Sequence, residues 1–192
     1  MNSISAVIIT FNEEDNIVRC IQSLQSISDE IIVVDSKSTD RTKLLANELG
    51  ARVFERDWEG YSSAKNFGNE QATKTWILSI DADEALSPEL IKSIKEFKVS
   101  TMDYDAFEVN RLTNYSGHWV RYCGWYPDRK LRMWKKGEGT WDGVLHEKVL
   151  FKKPIKVELL NGDLYHYSFP TIHHHVQTLN KYAEVAAKDL IE

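Results

Sequence analysis

Short apolar runs alternate with amphipathic stretches over the first hundred positions. Residues 4–9 carry no charge and are rich in β-branched side chains, as a strand buried on both faces requires. Asn12 then offers a helix cap, with Glu13, Glu14 and Asp15 behind it. Ile17, Ile21 and Leu24 recur at helical spacing, and residues 30–34 restore a strand pattern that ends at Asp35. The cycle repeats. Ser38, Thr39 and Asp40 can cap a helix carrying Leu44, Leu45 and Leu49, Gly50 suits the position after its end, and residues 52–54 read as a short strand. Residues 62–73 read as helix and 76–80 as a buried strand, and Ser87-Pro88 sets a capping hydroxyl before a first-turn proline.

Strand-helix alternation to about Phe97 predicts an α/β fold with a mostly parallel, Rossmann-like sheet flanked by helices. Ligands of such sheets lie beyond the carboxyl ends of the strands. After Ser100 the pattern changes to short aromatic-rich stretches at 106–109, 119–125, 131–134, 144–151 and 155–160, which predict mixed or antiparallel strands and binding loops. Residues 172–192 read as a helix that stops without a cap, so the chain is expected to be cut short there. With no repeat, low-complexity segment or linker, residues 1–192 form one expected domain in two halves, 1–100 and 101–192.

Composition narrows the function classes. A hydrophobic share of 42% over 192 residues supports a single core, and a net charge of -5 offers no overall basic field for nucleic acid. Local cations such as Arg129, Lys130 and Arg132 can still grip phosphate, with Arg129 and Arg132 favoured for their planar donor fork. Cys20 and Cys123 make neither a metal motif nor a disulfide scaffold, which fits a reducing cytosol. The apolar runs fall far short of the ~20 residues that span a bilayer. The expectation is a cytoplasmic protein that at most rests on the inner membrane face.

Candidate chemistry gathers at the strand ends. Asp81-Ala82-Asp83-Glu84 directly follows a buried strand, and two carboxylates two residues apart at a turn can share a divalent ion and a ribose. Mg²⁺ and Mn²⁺ take such oxygen ligands and are completed by phosphates and water. Solvated turn carboxylates are the bland alternative. Thr10, Phe11, Asn12 and Glu13 after the first strand, and Asp35 ending the second, point to the same crevice.

At these positions the chain resembles the family 2 glycosyltransferases of the GT-A fold. The resemblance rests on Val7-Ile8-Ile9-Thr10-Phe11-Asn12-Glu13, on Ile32-Val33-Val34-Asp35-Ser36-Lys37-Ser38-Thr39-Asp40, on Ala64-Lys65-Asn66-Phe67-Gly68 and on Asp81-Ala82-Asp83. It implies a GT-A domain with a nucleotide-sugar-binding first half and an acceptor-side second half that adds a small antiparallel extension. Thr10, Phe11 and Glu13 would line the nucleoside pocket, Asp35 would accept a hydrogen bond from the base, and Lys65 would face base or diphosphate. Asp81 would approach the ribose, and Asp83 would bind a Mn²⁺ or Mg²⁺ ion bridging the donor phosphates.

The second half is more specifically similar to bacterial lipopolysaccharide-core glucosyltransferases. The motifs are Gly124-Trp125-Tyr126-Pro127-Asp128-Arg129, Lys130-Leu131-Arg132-Met133-Trp134 and Val144-Leu145-His146-Glu147. That similarity implies Glu147 as the base that deprotonates the acceptor, with Asp142 as the alternative, because relatives carry a Glu-Asp pair where His146-Glu147 stands. His166 falls where some GT-A enzymes supply a third metal ligand, although a satisfied core histidine is an equal reading. His173, His174 and His175 point in different directions on a helix and are expected to be solvated. Trp119, Trp125, Tyr126, Trp134 and Trp141 divide between sugar stacking and core filling.

The expected reaction is inverting transfer of a hexose, glucose from UDP-glucose, onto a lipopolysaccharide-core or other lipid-linked glycan. A polyprenyl-phosphate sugar transferase and a non-catalytic nucleotide-sugar-binding module are the alternatives. A sugar-nucleotide pyrophosphorylase is disfavoured, because Thr10-Phe11-Asn12-Glu13 stands where that class has a glycine-rich loop.

Overall fold

The computed structural model describes residues 2–101, 103–144 and 147–189. In chain order the elements are β1 (Ile4–Thr10), α1 (Ile17–Leu24), β2 (Glu30–Asp35), α2 (Thr42–Glu48), β3 (Arg52–Glu55), α3 (Tyr61–Gln71), β4 (Trp76–Asp81), β5 (Glu84–Leu86) and α4 (Pro88–Val99). There follow β6 (Ala106–Tyr115), β7 (His118–Trp119), β8 (Asp128–Lys135), β9 (Gly139–Asp142), β10 (Lys148–Phe151), β11 (Val157–Phe169) and α5 (Ile172–Asp189). A nine-stranded sheet runs β3-β2-β1-β4-β8-β6-β11-β5, with β7 on β6, and β9 and β10 form a separate antiparallel pair.

Every residue of β1 is buried, because β2 and β4 flank it in parallel and helices cover both faces. Ile4, Ala6 and Ile8 face one core, which α1 completes with Ile17, Cys20, Ile21 and Leu24 and α4 with Leu90, Ile94 and Phe97. Val7 and Ile9 face the other, with Ala64, Trp134 and Trp141. Gly68 lets α3 approach this second face closely: a Cβ there would lie 2.4 Å from Val7 Cγ1 and 3.0 Å from Val34 Cγ2.

The expected alternation holds, and Ser87 caps α4 as the Ser-Pro pair predicts, its Oγ accepting from Leu90 N at 3.2 Å. One local expectation is corrected and one is narrowed. Asn12 does not cap α1, which begins four residues beyond Glu13. It takes φ +54 and accepts from Thr39 N at 2.8 Å, while its own N–H donates to Ser38 Oγ at 2.8 Å. With Ser38 and Thr39 thus used, Asp40 serves the start of α2, accepting from Thr42 N at 3.0 Å.

The second half joins the first in one sheet. β8 is antiparallel to β4, β6 is antiparallel to β8, and β11 is parallel to β6. The three-residue β5, unforeseen in the sequence, pairs with β11. Among the described residues no helix is long and apolar enough to cross a membrane.

Candidate active site

Sheet register brings three polar strand ends level, because Thr10 pairs with Asp35 and Ile9 with Asp81. Asp35 is fully buried. Its carboxylate accepts from Ser38 N at 2.8 Å and from the Ser38 hydroxyl, folding the loop after β2 inward. Thr10 is also buried, and its hydroxyl has no protein partner. Beside it the Phe11 ring is 53% exposed, an open apolar surface at the mouth of the crevice.

Glu13 accepts from Asn16 Nδ2 at 2.7 Å. Burial first, and then the negative charges of Asp83, Asp40 and Asp15, push its carboxyl up to about 7 despite that hydrogen bond. Excess negative charge at a strand-end crevice suits a site that receives cations.

Asp81 sits at the centre of an ionic network. Arg132 Nη2 donates to Asp81 Oδ2 at 2.8 Å and to Glu84 Oε1 at 2.6 Å, and Glu84 Oε2 accepts from Asp81 N at 3.0 Å. Lys65 Nζ lies 3.3 Å from Asp81 Oδ1, an ion pair without hydrogen-bond geometry, since that oxygen has no hydrogen-bond partner. Burial works to raise the Asp81 carboxyl, but Lys65, Arg132 and His166 outweigh it and hold it well below the usual carboxylate range. The Cys20 thiol lies beneath, 3.6 Å from Asp81 O, and burial and the surrounding carboxylates push it up, which makes it inert.

The grip on phosphate expected of Arg132 is replaced by this inward role. Its guanidinium is buried against Asp81 and Glu84, and those two carboxylates, with the hydrogen bonds they accept, raise its pKa further against burial. Arg129, by contrast, stays exposed near the start of β8, at the crevice end of the sheet. Glu84 is the site residue that sequence reasoning missed. The only signal was its place directly before the apolar Ala85-Leu86 pair, and its burial comes from the pairing of β5 with β11.

Lys65 is also buried, and it turns from the donor side toward the second half of the chain. Nζ donates to Glu147 Oε1 at 2.7 Å and stands 4.5 Å from the Trp141 ring. Asn66 clamps the same segment by donating to Trp141 O and accepting from Trp141 N, both at 2.9 Å. Asp142 follows on β9 but is exposed, opposite Lys148. Leu145 and His146 of the motif lie outside the described residues.

On the far side of Asp81, Asp83 Oδ2 lies 3.2 Å from His166 Nε2, and Tyr167 N donates to Asp83 O at 2.9 Å. Burial works against a charged His166, but Asp83 and then Glu84 outweigh it and raise the imidazole above its ordinary value. Its Nδ1 is buried without a partner. Among the described residues no group of three His, Cys, Asp or Glu side chains forms a closed cage. One carboxylate and one imidazole beside an open crevice fit a divalent ion that substrate phosphates complete.

Trp134 and Trp141 belong to the core, whereas Trp119 and Trp125 reach the surface. His173 and His174 are exposed as expected, but His175 is not merely solvated: its Nδ1 lies 3.0 Å from Tyr115 Oη and its ring 4.2 Å from Phe169.

Residues 5–157 match the model of glycosyl transferase family 2. The chain belongs to that family. An uncharacterized glycosyltransferase of Rickettsia typhi is 38% identical over the whole chain, which spans 69% of that relative. LpsC of Rhizobium meliloti, a lipopolysaccharide core biosynthesis glycosyltransferase, is 29% identical over 98% of the chain and 72% of its own length. Among solved structures, S. aureus TarS 1–349 superposes with a TM-score of 0.62 at 17% identity, over 86% of this chain and 60% of that one. The fold of this family 2 chain thus agrees with that of TarS despite distant sequence.

Proposed function

We propose that this chain transfers a hexose, glucose from UDP-glucose, with inversion to a hydroxyl of a lipopolysaccharide-core or other lipid-linked glycan. One observation carries the reading: Lys65 joins Asp81, at the end of β4, to Glu147, so a donor-side and an acceptor-side carboxylate share one buried cation. The lipopolysaccharide acceptor is supported by the relative LpsC, and TarS has been solved with UDP-GlcNAc, also a UDP-sugar.

In this mechanism Thr10, Phe11 and Asp35 take the nucleoside, with the free Thr10 hydroxyl and the Asp35 carboxylate as its polar partners. Asp81 receives the ribose and Arg132 fixes its direction. Asp83 and His166 would hold a Mn²⁺ or Mg²⁺ ion, which supplies positive charge to the donor diphosphate as it leaves. Arg129 is the remaining arginine candidate for phosphate. Glu147 accepts the proton of the acceptor hydroxyl as oxygen attacks the anomeric carbon from the face opposite the leaving group, and Lys65 fixes the direction of that carboxylate. Asp142 is the alternative base.

The test is thermal denaturation with UDP-glucose, UDP-GlcNAc and GDP-mannose, each with and without Mn²⁺. A ligand of the native state raises the melting temperature. The largest shift is expected for UDP-glucose with Mn²⁺; a shift for GDP-mannose alone, or none for any UDP-sugar, would overturn the donor assignment.

A further inference from the structure

Aromatic side chains gather on β6, β7 and β11 at the crevice end of the sheet. β4 and β6 are both antiparallel to β8, and β11 is parallel to β6. The C-terminal ends of β6 and β11, at Tyr115 and Phe169, therefore reach the same end of the sheet as Thr10, Asp35 and Asp81. β7 folds back there, pairing Trp119 with Asn114.

The Trp119 ring lies 4.6 Å from Tyr165 at an interplanar angle of 35° and 5.4 Å from Tyr167. Trp125 belongs to a separate group of rings, 6.1 Å from Tyr115 and 6.2 Å from Phe169. Trp119 keeps 38% of its surface exposed and Trp125 36%, where the core residue Trp134 has none. Two indoles held against other rings and yet open to solvent are neither core filling nor loose surface. Tyr165 turns to the face of β11 opposite the His166 imidazole, Tyr167 N ties the same strand to Asp83 O at 2.9 Å, and β8 stands between the platform strands and β4.

We infer that Trp119 backed by Tyr165 is the subsite for the acceptor saccharide. This rests on the glycosyl-transfer reading above. A pyranose offers an apolar C–H face to a flat ring and hydroxyls at its edge, and the platform has the matching form. Its rings are rimmed by polar groups: Tyr126 Oη donates to Asp163 Oδ1 at 2.8 Å, and Arg121 lies 3.6 Å from Asp163. Tryptophan and tyrosine also lose little conformational freedom on binding. Since the nucleoside occupies the β2-β1-β4 side, the acceptor must reach the donor from the other, and this surface lies there.

The experiment follows the tryptophan indole resonances of ¹⁵N-labelled protein during titration with methyl β-D-glucoside, galactoside, mannoside and N-acetylglucosaminide, with and without UDP. At least one glycoside is expected to move the Trp119 resonance. Trp119→Ala and Tyr165→Ala should each weaken its binding about five- to tenfold, while Trp119→Phe retains most of it and all three variants bind UDP as the parent does. The assignment is overturned if Trp119→Ala binds glycosides as well as the parent or if no glycoside binds the parent. It is overturned equally if Trp119 responds to anionic phospholipid vesicles and not to glycosides, which would make the surface a membrane contact. Should UDP fail to bind the parent, the donor reading falls, and the UDP-free titration still decides the platform.

Discussion

Lys65 Nζ stands 2.7 Å from Glu147 Oε1 and 3.3 Å from Asp81 Oδ1, so a single buried ammonium ties the end of β4 to the segment ahead of β10. Charges placed on either side of it are held at a set separation, and both can be examined by substitution.

Glu147→Gln keeps the shape of the carboxylate and removes the proton acceptor. Sugar transfer should fall by about 10²- to 10⁴-fold while UDP binding is retained, so the loss appears in turnover, in steady-state rates and calorimetry. Asp142→Asn is the control: if it is dead while Glu147→Gln turns over normally, the base moves to Asp142.

Asp35→Ala should weaken binding of uridine alone. Asp83→Ala should leave uridine binding nearly intact and abolish the gain in UDP affinity that Mn²⁺ gives. Calorimetry with and without a chelator reads both, and equal damage to uridine binding would refute the division of labour.

Arg132→Met removes the near cation of Glu84, whose side chain is fully buried, and leaves it only Arg111 at 3.8 Å. Breaking such a pair from one side costs about 3–5 kcal/mol, to be read from urea denaturation. The double variant Arg132→Met/Glu84→Gln should recover part of the loss, because it removes the buried charge as well. If the single variant is as stable as the parent, the network does not hold this end of the sheet.

Glu13 gives the pH dependence. Its carboxyl titrates at about 7 in the fold against an ordinary 4.5, so between those values the folded chain holds a proton that the unfolded chain has released. Stability from this group is therefore lost as pH rises through that window and is level above it. Melting temperatures of Glu13→Gln should be flatter than those of the parent between pH 5 and about 7 and higher at pH 8. Asp81 acts with the opposite sign: its depressed carboxyl contributes stability that disappears as pH falls below the ordinary carboxylate range.

What the sequence disclosed followed from how locally each signal is written. β1, β2 and β4 are continuous apolar runs, and the cap at Ser87 lies three residues from the amide it serves. The placement of Asp35 and Asp81 at strand ends, with Asp83 in the turn beyond, was legible because such runs stop there. β5 was not, since its three residues are a strand only by virtue of β11, nearly eighty positions later. Nor could spacing show that Arg132 faces Glu84 across 48 positions, or that Asn12 adopts a left-handed backbone to receive an amide from the loop after β2. Lys65 was expected at the donor, and its second partner, Glu147, is 82 positions away.

The weaving of the sheet bears on how such a chain can change. β5 belongs to the first hundred residues but finds its strand partner in the last fifty, and β4 is hydrogen-bonded to β8. A cut near residue 100 would leave β4 with a bare edge and β5 with nothing to pair with. Halves of two such proteins are therefore not interchangeable cassettes, and a chimera joined at the midpoint should not fold. New donor or acceptor preferences have to arise by exchanging side chains on the loops at the crevice end, with the interlaced strands inherited whole.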